Sequence, residues 1–156
     1  MSTLTENTTE VLNDLLQINN DRIEGYTRAQ KESRDNAADL IGLFQQMVQQ
    51  SETCASELRS MITKYGGEVA TGSTTMGKIY RAWMDLKITF SGNDRRTVLA
   101  SCEFGEDAAQ KAYKAALDES DVDDEARILI STQKGQLRNS HDLIKKMRDA
   151  EAAKAS

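Results

Sequence analysis

The chain has no proline anywhere in its 156 residues, where average usage would place about eight. Proline lacks a backbone N–H and clashes with the preceding turn, so long helices exclude it from their interiors. A β-sandwich or a Pro-rich tail would normally carry several. Charged residues at 29% and hydrophobic residues at 38% suit amphipathic helices that bury one face. The expected fold is all-α and the chain reads as one domain over residues 1–156.

Apolar residues recur with helical period along nearly the whole sequence. A first helix is expected over about 8–33, opened by Asn7 and Glu10 at capping-box spacing. Leu12, Leu15, Leu16, Ile23, Tyr26 and Ala29 are its apolar positions. A second is expected over 36–65, capped by Asp35 or Asn36 and stopped by Gly66-Gly67. Its stripe runs Ala37, Leu40, Phe44, Met47, Ser51, Cys54, Leu58, Met61, Tyr65, widened by Ile41, Val48, Ala55 and Ile62. A third long helix is expected over 95–119, with Leu99, Cys102, Glu106, Ala109, Tyr113 and Ala116 inward. A fourth is expected over 121–149, capped by Ser120 or Asp121, with Ala126, Ile130, Gln133, Leu137, Ser140, Ile144 and Met147 inward. The tail 150–156 is expected to fray.

Five of the nine glycines fall between residues 66 and 92, so the helix breakers are concentrated in one connection. That segment holds its own short amphipathic helix, expected over 75–90, with Ile79, Tyr80, Trp83, Leu86 and Phe90 near one side. Short links join the first pair and the last pair of long helices, which makes two antiparallel hairpins. One long crossover between two hairpins is the ferritin-like four-helix-bundle arrangement. An up-down-up-down bundle with a lid helix is the alternative.

Twenty Lys+Arg against twenty-five Asp+Glu give a net charge of −5. Nucleic-acid binders show a basic stripe with interleaved aromatics. Here the basic clusters are only Arg95-Arg96 and Lys145-Lys146-Met147-Arg148, the latter near a helix C-terminus where cations offset the dipole. No run approaches the ~20 apolar residues of a membrane span, and Met1 to Glu10 lack the pattern of a signal peptide. The expected location is the cytoplasm. Cys54 and Cys102 make no CxxC pair and sit on apolar stripes, as free core cysteines do.

Several strings resemble one family when taken together. Leu12-Asn13-Asp14-Leu15-Leu16, followed by Asn19-Asn20-Asp21-Arg22-Ile23-Glu24-Gly25-Tyr26, is similar to the first helix of an uncharacterised bacterial family of ferritin-like four-helix-bundle proteins. Gly72-Ser73 with Arg81-Ala82-Trp83 resembles its middle segment. Cys102-Glu103-Phe104-Gly105-Glu106-Asp107, with Tyr113 and Leu117, resembles its third-helix signature. The resemblance spans about residues 10–148. It implies the fold; the family is a domain of unknown function, so it implies no activity.

Ferritin-like oxidases hold two metals with a Glu from each of two helices and a Glu-x-x-His pair from each of the other two. This sequence has no Glu-x-x-His, and its only histidine, His141, lies eight residues beyond Gln133. Glu24, Glu57, Glu103 and Glu106 remain candidates for a carboxylate-only divalent-metal site. The registers also bring a polar layer to mid-bundle depth: Asn19, Arg22, Ser51, Glu106 and Gln133. A buried Glu must be neutral, paired or metal-bound, and Arg22 is the natural counter-ion for Glu106. Two readings follow, a buried network that fixes helix register and a variant ligand site.

Gly72-Ser73-Thr74-Thr75 resembles a phosphate cradle only superficially, because Gly-x-x-x-x-Gly-Lys is followed by Ile79 rather than a hydroxyl residue. The acidic run from Asp118 to Glu125 lacks the glycine of an EF-hand and reads as helix capping. The expected function is non-catalytic, through protein association or a stress-related accessory role, with a homodimer or protein partner and no cofactor. A metal-binding or redox bundle near Glu106 is the alternative. Membrane docking through residues 75–90 is a weaker one.

Overall fold

A computed structural model describes residues 3–32, 38–71, 76–86 and 94–154. Those residues form five helices and no strand: α1 (Leu4–Glu32), α2 (Ala38–Lys64), α3 (Lys78–Asp85), α4 (Arg95–Asp118) and α5 (Asp124–Lys154).

The helix ends correct several expected boundaries. α1 starts at Leu4 because Thr3 caps it: Thr3 Oγ1 accepts from the Glu6 N–H at 3.0 Å. The capping-box spacing in use is therefore Thr3–Glu6, and Asn7 lies inside the helix. The start of α2 at Asp35 or Asn36 falls outside the described residues. Its end closes where expected. Gly66 takes φ +75°, its N–H donates to Thr63 O at 2.9 Å and the Gly67 N–H donates to Ile62 O at 3.0 Å. This is the left-handed glycine cap that satisfies the last carbonyls.

α3 begins at Lys78 rather than residue 75 and ends at Asp85; Thr75 and residues 87–90 are outside the described part. α4 is capped by Asp94, whose carboxylate accepts from the Thr97 N–H at 2.8 Å. α5 begins at Asp124, later than expected, because residues 119–123 form a turn tied down from both sides. Arg127 donates to Leu117 O at 2.7 Å, to Val122 O at 3.1 Å and to Glu119 O, and the Thr8 hydroxyl accepts from the Asp123 N–H at 3.0 Å. α5 also stays helical through Lys154 rather than fraying after residue 149. Glu151 accepts from Arg95 at 2.6 Å, and Arg95 in turn grips Asp39 at 2.7 Å, so the last turn of α5 is anchored to the starts of α4 and α2.

The pairing directions follow from which residues meet. Gln30 reaches Ile41 and Arg22 reaches Ser51, so α1 and α2 are antiparallel. Gln110 reaches Lys134 and Glu103 pairs with Arg148, so α4 and α5 are antiparallel. Across the hairpins Asn19 meets Tyr113 and Arg22 meets Glu106, while Gln50 meets Ser140 and Cys54 meets Gln133. Both cross-hairpin pairs are therefore antiparallel as well, which leaves α2 and α4 parallel on a diagonal.

The core falls into two apolar clusters. The larger gathers Leu12, Leu15, Leu16, Ile18, Leu58, Ile62, Ala109, Tyr113 and Ile130 with Ile79 and Trp83 of α3. The smaller gathers Tyr26, Leu40, Phe44, Met47, Leu99, Cys102 and Ile144. Arg22, Ser51 and Glu106 lie between them in sequence on their respective helices and are themselves buried. Ile23, Met61 and Tyr65, expected inside, are only half-buried, and Leu86 is exposed.

α3 packs on α1 and α4. Its N-cap, Gly77, has no side chain to bond the helix's free N–H groups. Asp14 of α1 does this from outside, accepting from the Gly77 N–H at 2.9 Å and the Tyr80 N–H at 3.1 Å. A Cβ at residue 77 would collide with the Asp14 carboxylate and come 2.7 Å from Glu10. Two turns along α1, Asp21 accepts from Tyr80 Oη at 2.8 Å and Trp83 Nε1 at 2.9 Å. Among the described residues no helix is long and apolar enough to cross a membrane.

Candidate functional site

The most unusual chemistry in this fold is a charged pair buried at its middle. Arg22 comes from α1, Glu106 from α4 and Ser51 from α2, each on the inward stripe of its helix between apolar neighbours. Both charged side chains are 0% exposed. Arg22 Nη2 donates to Glu106 Oε2 at 2.6 Å and Nε to the same oxygen at 3.2 Å, while Nη1 donates to Ser51 Oγ at 2.7 Å. Tyr26 Oη also donates to Oε2, at 2.9 Å, and the Arg22 guanidinium lies 5.6 Å from the Tyr26 ring centroid. Glu106 Oε1 has no hydrogen-bond partner among the described residues.

Burial pulls on the Arg22 guanidinium to shed its proton, but the charge and hydrogen bonding of Glu106, together with the Tyr26 and Tyr113 phenols, outweigh that and raise its pKa above the ordinary value. Burial first, then the Glu106 carboxylate, pushes the Tyr26 phenol well up. Tyr26 is thus a fixed donor. Such a pair gains little net stability over apolar packing, but losing one member strands a charge in the core.

A second string of hydrogen bonds runs outward beside it. Asn19 Nδ2 donates to Leu15 O at 2.9 Å and to Tyr113 Oη at 2.9 Å. Tyr113 Oη spends its one proton on Gln133 Oε1 at 2.7 Å. The Gln133 amide nitrogen then donates to Cys54 O at 3.2 Å and to Glu57 Oε1 at 3.0 Å. Each donor and acceptor role follows from the previous one. Burial raises the Tyr113 phenol too.

Of the five polar residues singled out from the sequence, Arg22, Ser51 and Glu106 share one cluster, and Asn19 and Gln133 are joined through Tyr113. The four carboxylates considered as metal ligands go to different places. Glu106 is held by Arg22, Glu57 by the Gln133 amide, and Glu103 pairs with Arg148 at 2.8 Å; Glu24 is exposed on α1. Among the described residues no group of three or more His, Cys, Asp or Glu is arranged to hold a metal ion. The residues at mid-bundle do not fit a divalent cation, because the Arg22 cation already occupies the Glu106 carboxylate and would repel a second positive charge. His141 is half-buried on α5 between Asp107 and Asp142.

The remaining chemistry is inert. Cys54 and Cys102 are free and buried; burial pushes the Cys54 thiol up to about 11 and the Cys102 thiol higher still, so neither supplies thiolate near neutral pH. Gly72 to Thr75, which resemble a phosphate cradle only superficially, lie outside the described residues. The free N–H groups at the start of α3 already face the Asp14 carboxylate, which opposes an anion there. Beside them opens a cleft of about 270 Å³ walled by Glu10, Asp14, Lys78, Glu119 and Asp121, in which Lys78 pairs with Glu119.

The periodic reading missed Tyr26 and Tyr113 as donors, because it counted both only as apolar bulk. It also gave no role to Asp14 and Asp21, whose partners lie 59 to 66 positions away.

Fold and site together define an all-α protein of long paired helices with a buried ion pair between two apolar clusters. The chain belongs to the family described as a domain of unknown function (DUF2383), whose model matches residues 7–119. The match runs from α1 through α4 and stops before α5. No curated protein matches the chain.

Proposed function

We propose that the four long helices form a ferritin-like four-helix bundle that works without catalysis, by associating with other protein in the cytoplasm or in a stress-related accessory role. The single observation that supports this reading is the Arg22–Glu106 pair. At the depth where a ferritin relative would hold metals, a guanidinium donates twice to the buried Glu106 carboxylate. The pair's geometry suits fixing the register of α1 against α4 and α2, since the Arg22 side chain of α1 donates to Glu106 of α4 and to Ser51 of α2. Free buried thiols agree with a reducing compartment.

The alternative, a metal or redox bundle at Glu106, has no comparable support, since its candidate ligands are dispersed. Membrane docking through α3 is weakened because Ile79 and Trp83, the apolar side of that helix, are buried.

The association reading is tested by the native size of an epitope-tagged chain in extracts of the cells that make it. A complex clearly heavier than the 17.3 kDa monomer, which persists on dilution, is expected. Migration as a free monomer under those conditions contradicts the reading. In parallel, titration of purified protein with Mn²⁺ or Fe²⁺ should show no stoichiometric binding. One equivalent bound by wild type and lost in Glu106→Ala would establish the metal alternative.

A further inference from the structure

α5 presents two faces of opposite character. Ala126, Ile130, Gln133, Leu137, Ser140 and Ile144 point into the core. On the opposite side stand Ile128, Thr132, Gly135, Asn139, Leu143 and Lys146, all exposed. At 3.6 residues per turn these lie within about 60° of one direction. Ile128 and Leu143 are among the large apolar side chains left exposed, at 69% and 42%. Gly135 stands mid-helix, where glycine costs about 1 kcal/mol relative to alanine. A Cβ there would meet nothing within 4 Å, so no contact within this chain requires its absence.

The outward face is also self-complementary. Its midpoint falls between Gly135 and Gln136. Ile128 and Leu143 are equidistant from that point on either side. So are Thr132 and Asn139, and so are Glu125 and Lys146, a carboxylate and an ammonium about 30 Å apart along the helix. A second α5 laid antiparallel about this midpoint places Ile128 against Leu143 and Glu125 against Lys146, twice over by symmetry. Gly135 then faces Gln136 at the crossing, where missing side-chain bulk lets two helix axes approach closely. A two-fold interface must be complementary to itself in just this way.

We infer that the outward face of α5 is a homodimer interface, on which two copies of this chain pack antiparallel about an axis beside Gly135. The inference rests on the association reading above and names its partner. Glu125 also pairs with Lys64 of its own chain, but both are more than half exposed and the carboxylate retains lone pairs for a second donor. The match to the family model stops at residue 119, so this surface is supplied by the part of the chain beyond it.

Sedimentation equilibrium of the purified full chain tests this, with circular dichroism to check that each variant folds. Wild type is expected to dimerise, more weakly at high salt. Ile128→Asp and Leu143→Asp should each leave a folded monomer. Lys146→Glu should weaken the dimer about tenfold, since it sets two symmetric repulsions in place of two attractions. The charge swap Glu125→Lys with Lys146→Glu should restore it. A wild type that stays monomeric at the highest concentration, a dimer indifferent to Ile128→Asp, or a charge swap that fails to restore dimerisation would each overturn the inference. A heavy complex in extract combined with a monomeric purified chain sinks this interface alone and leaves association with a different protein standing.

Discussion

Three donors converge on Glu106 Oε2: two from Arg22 and the Tyr26 hydroxyl. Removing the charge at either end leaves the other without compensation in a site from which water is excluded. Glu106→Gln should therefore cost about 3–5 kcal/mol, read as a lower urea midpoint with an unchanged slope. Arg22→Met with Glu106→Leu, which removes both charges for apolar groups of similar volume, should unfold within about 1 kcal/mol of wild type or later. The sequence singles out Glu106 because it stands among apolar residues at helical period, and Arg22 because antiparallel pairing carries it to the same depth. The two tyrosines escape notice for a physical reason. A periodic pattern reads the ring and says nothing of where the hydroxyl points.

At the scale of the element, α3 is held by side chains of α1 more than by its own sequence. Gly77→Ala would drive a methyl group into the Asp14 carboxylate and should loosen α3, visible as a red shift of Trp83, the only tryptophan. Burial raises both Asp14 and Asp21 above 3.8, outweighing the hydrogen bonds from α3 that pull them down. A carboxyl whose pKa is raised by docking favours the docked state when protonated. Its contribution is complete below the undocked value and is lost as pH rises through the docked one. Acrylamide should therefore quench Trp83 less as pH falls from 7 towards the ordinary carboxylate range; stronger quenching there would show the sign to be wrong. Elsewhere Asp39, held down to about 2 by Arg95, works in the opposite direction and loses its stabilising charge only in strong acid. Gly66→Ala should cost about 1 kcal/mol, because residue 66 adopts a positive φ. This glycine stop was legible, since glycine after a periodic run has a local meaning. The true starts of α1 and α5 were not: competing polar residues offered equally good caps, and Thr3 caps α1 while Arg127 of α5 and Thr8 of α1 fix the turn that precedes α5.

For the whole molecule, the absence of proline and the placement of the glycines made long helices and one long connection readable. The reach of α5 to Lys154 was not, because it depends on Arg95 and Glu151, 56 positions apart. What the layer is for is likewise a property of all four long helices. If the buried pair serves only to set their register, an apolar replacement should preserve everything the protein does by association. The most direct measurement is the native size, in extract, of the Arg22→Met/Glu106→Leu chain beside wild type. The account predicts a folded variant in a complex of the same size. A variant that folds as stably as wild type yet is missing from the complex would contradict it, because the charged layer would then have a function of its own.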